Sequence, residues 1–204
     1  MAAARYARHH RDALREHARD TVHVLMDLLR RRTFDRLLLA GPPEPVSVLR
    51  DELPRPLRAR LAGQLSLAAT AGDADVLQAA IAAAEAIERE TETRMVDELL
   101  AASTSPRAVL GFAATTAALS EGRVRHLFIA DSFAVIGGEC KTCGRLVAGF
   151  RDCPVCNAPT SQLGDLREYA VQRAVEQGAR IETVSGDAAA LLSVYDGLGA
   201  WTRY

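Results

Sequence analysis

The chain has 204 residues, enough for one large domain or two small ones that each bury a core. Hydrophobic residues make up 49% and charged residues 25%, which argues against global disorder. The formal net charge of −1 offers no overall basic field for a nucleic acid, and no apolar run reaches the roughly 18–20 residues of a membrane span.

The opening "MAAARYARHHRDALREH" contains no apolar core of signal-peptide length, so the expected compartment is the cytoplasm, where thiols stay reduced. Residues 4–32 predict a long helix, because Tyr6, Leu14, Ala18, Val22, Leu25 and Leu29 recur at spacings of three and four. Charge is concentrated here: residues 5–36 hold nine Arg against five acidic residues, and four of the five His. Arg8, Arg11, Arg15 and Arg19 recur at helical spacing on one face, where together with Arg5 they could track an RNA phosphate backbone. The alternative is a solvated face on which they pair with Asp12, Glu16 and Asp20. His9 and His10 are adjacent and point to different faces, so a shared metal is not expected there.

"DRLLLAGP" then reads as a short buried strand, "PVSVLRDELPRPLRARLA" as helix broken at Pro54 and Pro56, and "GQLSLAAT" as a second strand. From Asp73, a candidate N-cap, a long amphipathic helix runs to "STSP" at 103–106, which marks the expected domain junction. Beyond it helices and strands alternate: helix 107–122, strand "RHLFIADSFAVIG", helix 165–178, strand "RIETVSG", helix "DAAALLSVYDG" and strand "AWTRY". Such alternation argues for helices packed on a sheet. Gly137-Gly138 reads as a turn. Asp131-Ser132, after an apolar strand, could be a strand-end active position, but no His lies near in sequence to activate the Ser, and a turn or helix cap is the favoured reading.

All four cysteines fall within residues 139–156, as Cys140-x2-Cys143 and Cys153-x2-Cys156. A two-residue spacing lets one tight turn aim two sulfurs at a point, and two facing turns supply a tetrahedral zinc site. Gly144 follows the first pair, Pro154 lies inside the second, and "RLVAGF" between them is expected to form a hairpin turning near Gly149. Disulfides would need an oxidising compartment; a redox dithiol needs one pair opening a helix; an iron–sulfur centre is the remaining competitor. Structural Zn2+ is the favoured reading. A closed four-sulfur site leaves no open coordination position, so the metal is expected to fold a small inserted knob, residues 139–160, and not to catalyse.

No phosphate loop, His-Glu-x-x-His or nucleophile elbow is present, and the residues alone give no complete catalytic set. Three stretches carry a resemblance: "ARYARHHRDALREH", "FDRLLLAGPPEPVSVLRDELPRPLRARL" and the closing "GARIETVSGDAAALLSVYDGLGAWTRY". In that order, with the cysteine insert, they resemble the middle and C-terminal domains of the archaeo-eukaryotic peptide-chain release factor and Pelota family, especially its bacterial relatives.

The resemblance implies an α/β chain. A truncated RNase H-like middle domain, 1–103, lacks its N-terminal strands and Gly-Gly-Gln loop. An L30e-like domain, 104–204, carries the zinc-ribbon knob. It further implies action at the ribosomal A site in termination, rescue or hibernation, with ribosome, rRNA and tRNA as partners and a translational GTPase as a further candidate. Neither a membrane nor DNA is an expected partner. The family's hydrolytic Gln has no match here, since Gln64 and Gln78 fall in a strand entry and a helix. Either the chain is a piece of a longer protein or hydrolysis has been lost. Two alternatives stay open: a peptidyl-tRNA hydrolase whose loop comes from residues outside this chain, and a zinc-stabilised protein-interaction module unrelated to ribosomes.

Overall fold

A computed structural model describes residues 2–149 and 151–204. Residue contacts divide the chain into two units, one ending at Ile87 and the other beginning at Glu88.

In the first unit, helix α1 (Ala2–Arg31) lays Val22, Leu25, Met26 and Leu29 against a small core of Leu39, Val46, Leu53 and Leu57. Strands β1 (Leu37–Gly41) and β2 (Leu61–Ser66) pair in parallel, Leu39 opposite Gln64. Parallel strands need a crossover. Here it consists of helices α2 (Pro43–Glu52) and α3 (Arg55–Arg58). Pro54 ends α2 as expected, because the residue before a proline is driven out of the helical region. Pro56 does not break anything: it sits in the first turn of α3, where its missing N–H has no partner to lose.

Helix α4 (Asp73–Ala101) contains the divide between the units. Asp73, expected as its cap, is instead its first helical residue, and the Asp75 carboxylate accepts from the Gly72 N–H at 3.2 Å. The sequence-based junction at 103–106 falls just beyond the end of this helix.

The second unit is built on a four-stranded mixed sheet in the order β3 (Ala108–Leu110), β9 (Leu198–Thr202), β4 (Val124–Ala130), β8 (Arg180–Val184). β4 runs parallel to β8 and antiparallel to β9. Leu127, Phe128, Ile129 and Ala130 are all fully buried. Since successive strand residues face opposite ways, both faces of the sheet are covered. Leu99 of α4 and Leu192 of α7 (Gly186–Ser193) meet over Gly199 on one face. Helices α5 (Phe112–Ser120) and α6 (Leu166–Glu176) pack together, joined by the Gln177 amide donating to the Leu119 carbonyl. The mixed α/β class expected from the alternation holds.

Two local expectations fail here. Residues 107–122 are not one helix. Ala108-Val109-Leu110 form an edge strand against β9, and Gly111, at φ +84, separates it from α5. The stretch "RHLFIADSFAVIG" is not one strand either. It turns after Ala130, and its end becomes β5 (Ile136–Cys140) of a separate three-stranded sheet.

That sheet has the antiparallel order β6 (Leu146–Ala148), β5, β7 (Thr160–Asp165), so the inserted knob is a ribbon. Gly137 and Gly138 are extended within β5 and do not form a turn. An added Cβ would lie 2.1 Å from the Val147 carbonyl oxygen at Gly137 and 2.0 Å from that of Ser161 at Gly138. The "RLVAGF" segment does not fold on itself. Its strand pairs back onto β5 across the first cysteine turn, and Phe150 lies outside the described residues.

Candidate metal centre

Each Cys-x2-Cys pair forms the same knuckle. In the first, the Cys140 N–H donates to the Arg145 carbonyl at 2.8 Å and the Gly144 N–H to the Cys140 carbonyl at 2.9 Å. In the second, the Cys153 N–H donates to Ala158 at 2.9 Å and the Asn157 N–H to Cys153 at 2.8 Å. The fourth residue after each leading cysteine is left-handed: Gly144 at φ +68 and Asn157 at φ +55. Glycine takes that conformation freely, and Asn is among the few other residues that tolerate it. Gly144 was legible in the sequence as a knuckle residue. Asn157, its counterpart, has the same offset from the second pair, but it lacks the glycine that marks the first knuckle in sequence.

The two turns bring the four sulfurs within 4.8 Å of one another. Cys140 and Cys156 are 3.3 Å apart, Cys143 and Cys153 3.7 Å, and Cys143 and Cys156 3.8 Å. A cation held by four sulfurs at about 2.3 Å in a tetrahedron sets neighbouring sulfurs about 3.8 Å apart. The donor set therefore fits, and these residues could hold a metal ion.

The electrostatics point the same way. The Cys143 N–H, reaching the Cys140 sulfur at 3.4 Å, is the main influence that holds the Cys140 thiol down to about 6; burial opposes it and the Thr142 N–H assists. Cys153 is lowered chiefly by the N–H groups of Cys156 and Val155. For Cys156, the Ala158 N–H favours the thiolate, but the Cys140 sulfur, burial and the Cys153 and Cys143 sulfurs outweigh it and push the thiol up to about 12. Four thiolates cannot coexist at these distances unless a cation balances them.

The ribbon is tied to the body of its unit. Leu146 of β6 joins the main core, the Arg173 guanidinium meets the Glu139 carboxylate at 2.5 Å, and Arg145 approaches Glu121 at 4.0 Å. Among the described residues, the cysteines are the one group of three or more His, Cys, Asp or Glu placed to share a metal.

Arg5, Arg8, Arg11, Arg15 and Arg19 all lie on α1 and are exposed. Arg19 reaches Glu52 of α2 at 3.5 Å, and His10 reaches Glu44 at 3.9 Å. Asp131 and Ser132 occupy the turn that follows β4, where the Asp131 N–H donates to the Val184 carbonyl. Residue spacing gave no sign of a second polar cluster. Glu92, buried on α4, accepts from the Ser185 N–H at 2.8 Å and hydroxyl at 3.1 Å, and Glu182 of β8 lies 3.8 Å from the His126 ring nitrogen. Its members come from three elements far apart in the chain.

Residues 2–85 match the family model described as Bacterial archaeo-eukaryotic release factor family 10. Among solved structures the chain is similar to Dom34 of S. cerevisiae, a translation termination-like factor that interacts with Hbs1. The identity is 11% and the TM-score 0.56, over 90% of this chain and 51% of that one. It is similar to ribosome-bound archaeal Pelota, from a complex with ABCE1, at 13% identity and TM-score 0.54 over 93% and 49%. Archaeoglobus fulgidus Pelota gives 16% identity and TM-score 0.50 over 90% and 53%. The chain thus spans about half the length of these three proteins. No curated protein matches. The resemblance to the archaeo-eukaryotic release factor and Pelota family is borne out by the family model over the first unit and by the fold over most of the chain.

Proposed function

We propose that this protein is a ribosome-binding translation factor of the release-factor and Pelota type that acts at the A site, in the cytoplasm, through binding. The observation that carries the reading is the family-model match over residues 2–85, which includes the whole basic helix. Arg5, Arg8, Arg11, Arg15 and Arg19 form its RNA-facing row, contacting rRNA or tRNA phosphates. The cysteines hold structural Zn2+ through Cys140, Cys143, Cys153 and Cys156, which fixes the ribbon within an L30e-like domain. A translational GTPase is a further candidate partner for that domain. Termination, rescue and hibernation share this binding step.

The test is co-sedimentation of the purified chain with vacant 70S ribosomes across a salt series, with zinc quantified in the same sample. Binding should weaken as salt rises, with a slope that grows by roughly 0.7–0.9 per phosphate contact. Absence of binding at low salt overturns the reading and leaves the protein-interaction module.

A further inference from the structure

We propose that the cysteine cluster is also a site of reversible oxidation, in which a peroxide joins Cys156 to Cys140 and so releases the metal. The inference rests on the reading of the cluster as a zinc site. Each knuckle buries its leading cysteine and exposes its second: Cys140 and Cys153 are each 1% exposed, whereas Cys143 and Cys156 are open to solvent. The two shortest sulfur contacts run across the knuckles and each joins an exposed sulfur to a buried one, while the two exposed sulfurs, Cys143 and Cys156, lie 3.8 Å apart. Cys156 faces Cys140 at 3.3 Å, and Cys143 faces Cys153 at 3.7 Å. An accessible sulfur beside a second, protected one is the arrangement of an attacking and a resolving cysteine.

Bound metal keeps all four sulfurs as thiolates, the form that reacts. The Cys156 thiolate attacks the peroxide: an S–O bond forms, the O–O bond breaks and hydroxide leaves. The Cys140 thiolate then attacks the sulfenic sulfur: the S–S bond forms, the S–O bond breaks and a second hydroxide leaves. Two sulfurs give up two electrons in all, the peroxide accepts both, and two protons turn the hydroxides into water. The metal has then lost two of its four ligands, one from each knuckle. Cys143 and Cys153 remain and can be oxidised by a second equivalent. A dithiol reductant returns each protein disulfide to two thiols by exchange, through a mixed disulfide, and ends as a disulfide itself.

The consequence reaches beyond the ribbon. Cys140 ends β5, which carries Glu139 to Arg173 of α6, and the first knuckle leads into β6, which carries Leu146 into the main core. Loss of the metal therefore loosens the surface on which the ribbon sits.

The experiment treats the zinc-loaded full chain, its zinc first quantified, with increasing hydrogen peroxide. Released zinc is followed with a chromogenic chelator, and disulfides are mapped by peptide mass spectrometry. The expected result is zinc release that parallels a Cys140–Cys156 disulfide, formed before any Cys143–Cys153 bridge, with rebinding after reduction. Retained zinc, release with over-oxidised single cysteines, or any other first disulfide overturns the proposal and leaves the zinc reading standing. A chain with no zinc at the outset overturns both.

Discussion

The ribbon and the first helix are the two stretches with the strongest functional signal, and they hold it differently. The ribbon's signal is internal. Its four sulfurs face one another, their geometry fits a tetrahedral cation, and the partner they imply is a single ion. The signal of α1 faces outward: its arginines are exposed, and what they would contact is another molecule. A closed site states its own chemistry through distances. An open charged face states only the sign of its partner, so its reading depends on the family match over residues 2–85.

The largest expected effect breaks the ribbon. Cys140→Ser removes a buried ligand, and structural zinc contributes about 10–16 kcal/mol to folding in small zinc-finger peptides. Zinc should be lost, and amides of residues 136–165 should lose hydrogen-exchange protection. The four-stranded sheet should survive at a lower melting temperature, because Leu146 and the Glu139–Arg173 pair no longer brace it. If the entire second unit unfolds, the ribbon is not a separable element.

The matching change on α1 is charge reversal at Arg11 and Arg15. It should leave the melting temperature nearly unchanged, since both side chains are exposed, and reduce ribosome binding at low salt by tenfold or more. The salt slope should fall by about 1.4–1.8 if each arginine meets one phosphate. An unchanged slope would falsify the RNA-facing row.

A third change tests whether backbone approach, and not only metal, holds the ribbon. Gly138→Ala places a methyl 2.0 Å from the Ser161 carbonyl oxygen, so β5 and β7 must shift apart. A loss of about 1–3 kcal/mol in urea unfolding is expected, in the range of overpacking in a tight interior. Zinc should still bind, because the knuckles themselves are untouched.

How much of this was legible in sequence follows the same division. The knuckles could be read because all their ligands and turn residues lie within one short segment. Helix α1, the β1–α2–α3–β2 crossover and most of the alternation in the second unit could be read because their periodicities are local. Residues 108–110 could not. "AVLGFAATTAAL" is rich in alanine and its one interruption, Gly111, does not by itself mark a strand end; only pairing with β9, some ninety residues later, makes its start a strand. Gly137-Gly138 suggested a turn because glycines usually punctuate; the true reason, two carbonyl oxygens closing in from neighbouring strands, exists only after pairing.

The cluster under α4 is the clearest case of information absent from local pattern, and its pH dependence is the smallest effect expected. His126 is mostly buried, its ring nitrogen has no hydrogen-bond partner, and its ring lies 4.3 Å from that of Phe128. Burial first, then the charges of Arg180 and Arg125, lowers its pKa below the usual 6.5. Opposite it, burial, then Glu92, raises the Glu182 carboxyl above 4.5; Arg180 works against this and Glu88 adds to it. A base whose folded pKa is depressed binds fewer protons folded than unfolded. Its cost is therefore absent above pH 6.5 and grows as pH falls toward the lowered value. Glu182 acts in the opposite sense, because its folded state binds the extra proton: it favours the fold in acid and loses that contribution as pH rises through its raised pKa. His126→Gln removes the first effect and leaves the second. In urea unfolding from pH 7 to pH 5, the wild-type chain should lose more stability than the variant, by up to about 1.4 kcal/mol for each pKa unit of depression. Equal losses in the two proteins would mean that His126 takes up its proton in the fold as easily as in the unfolded chain, with Glu182 at 3.8 Å serving as the ion-pair partner that burial was expected to deny it.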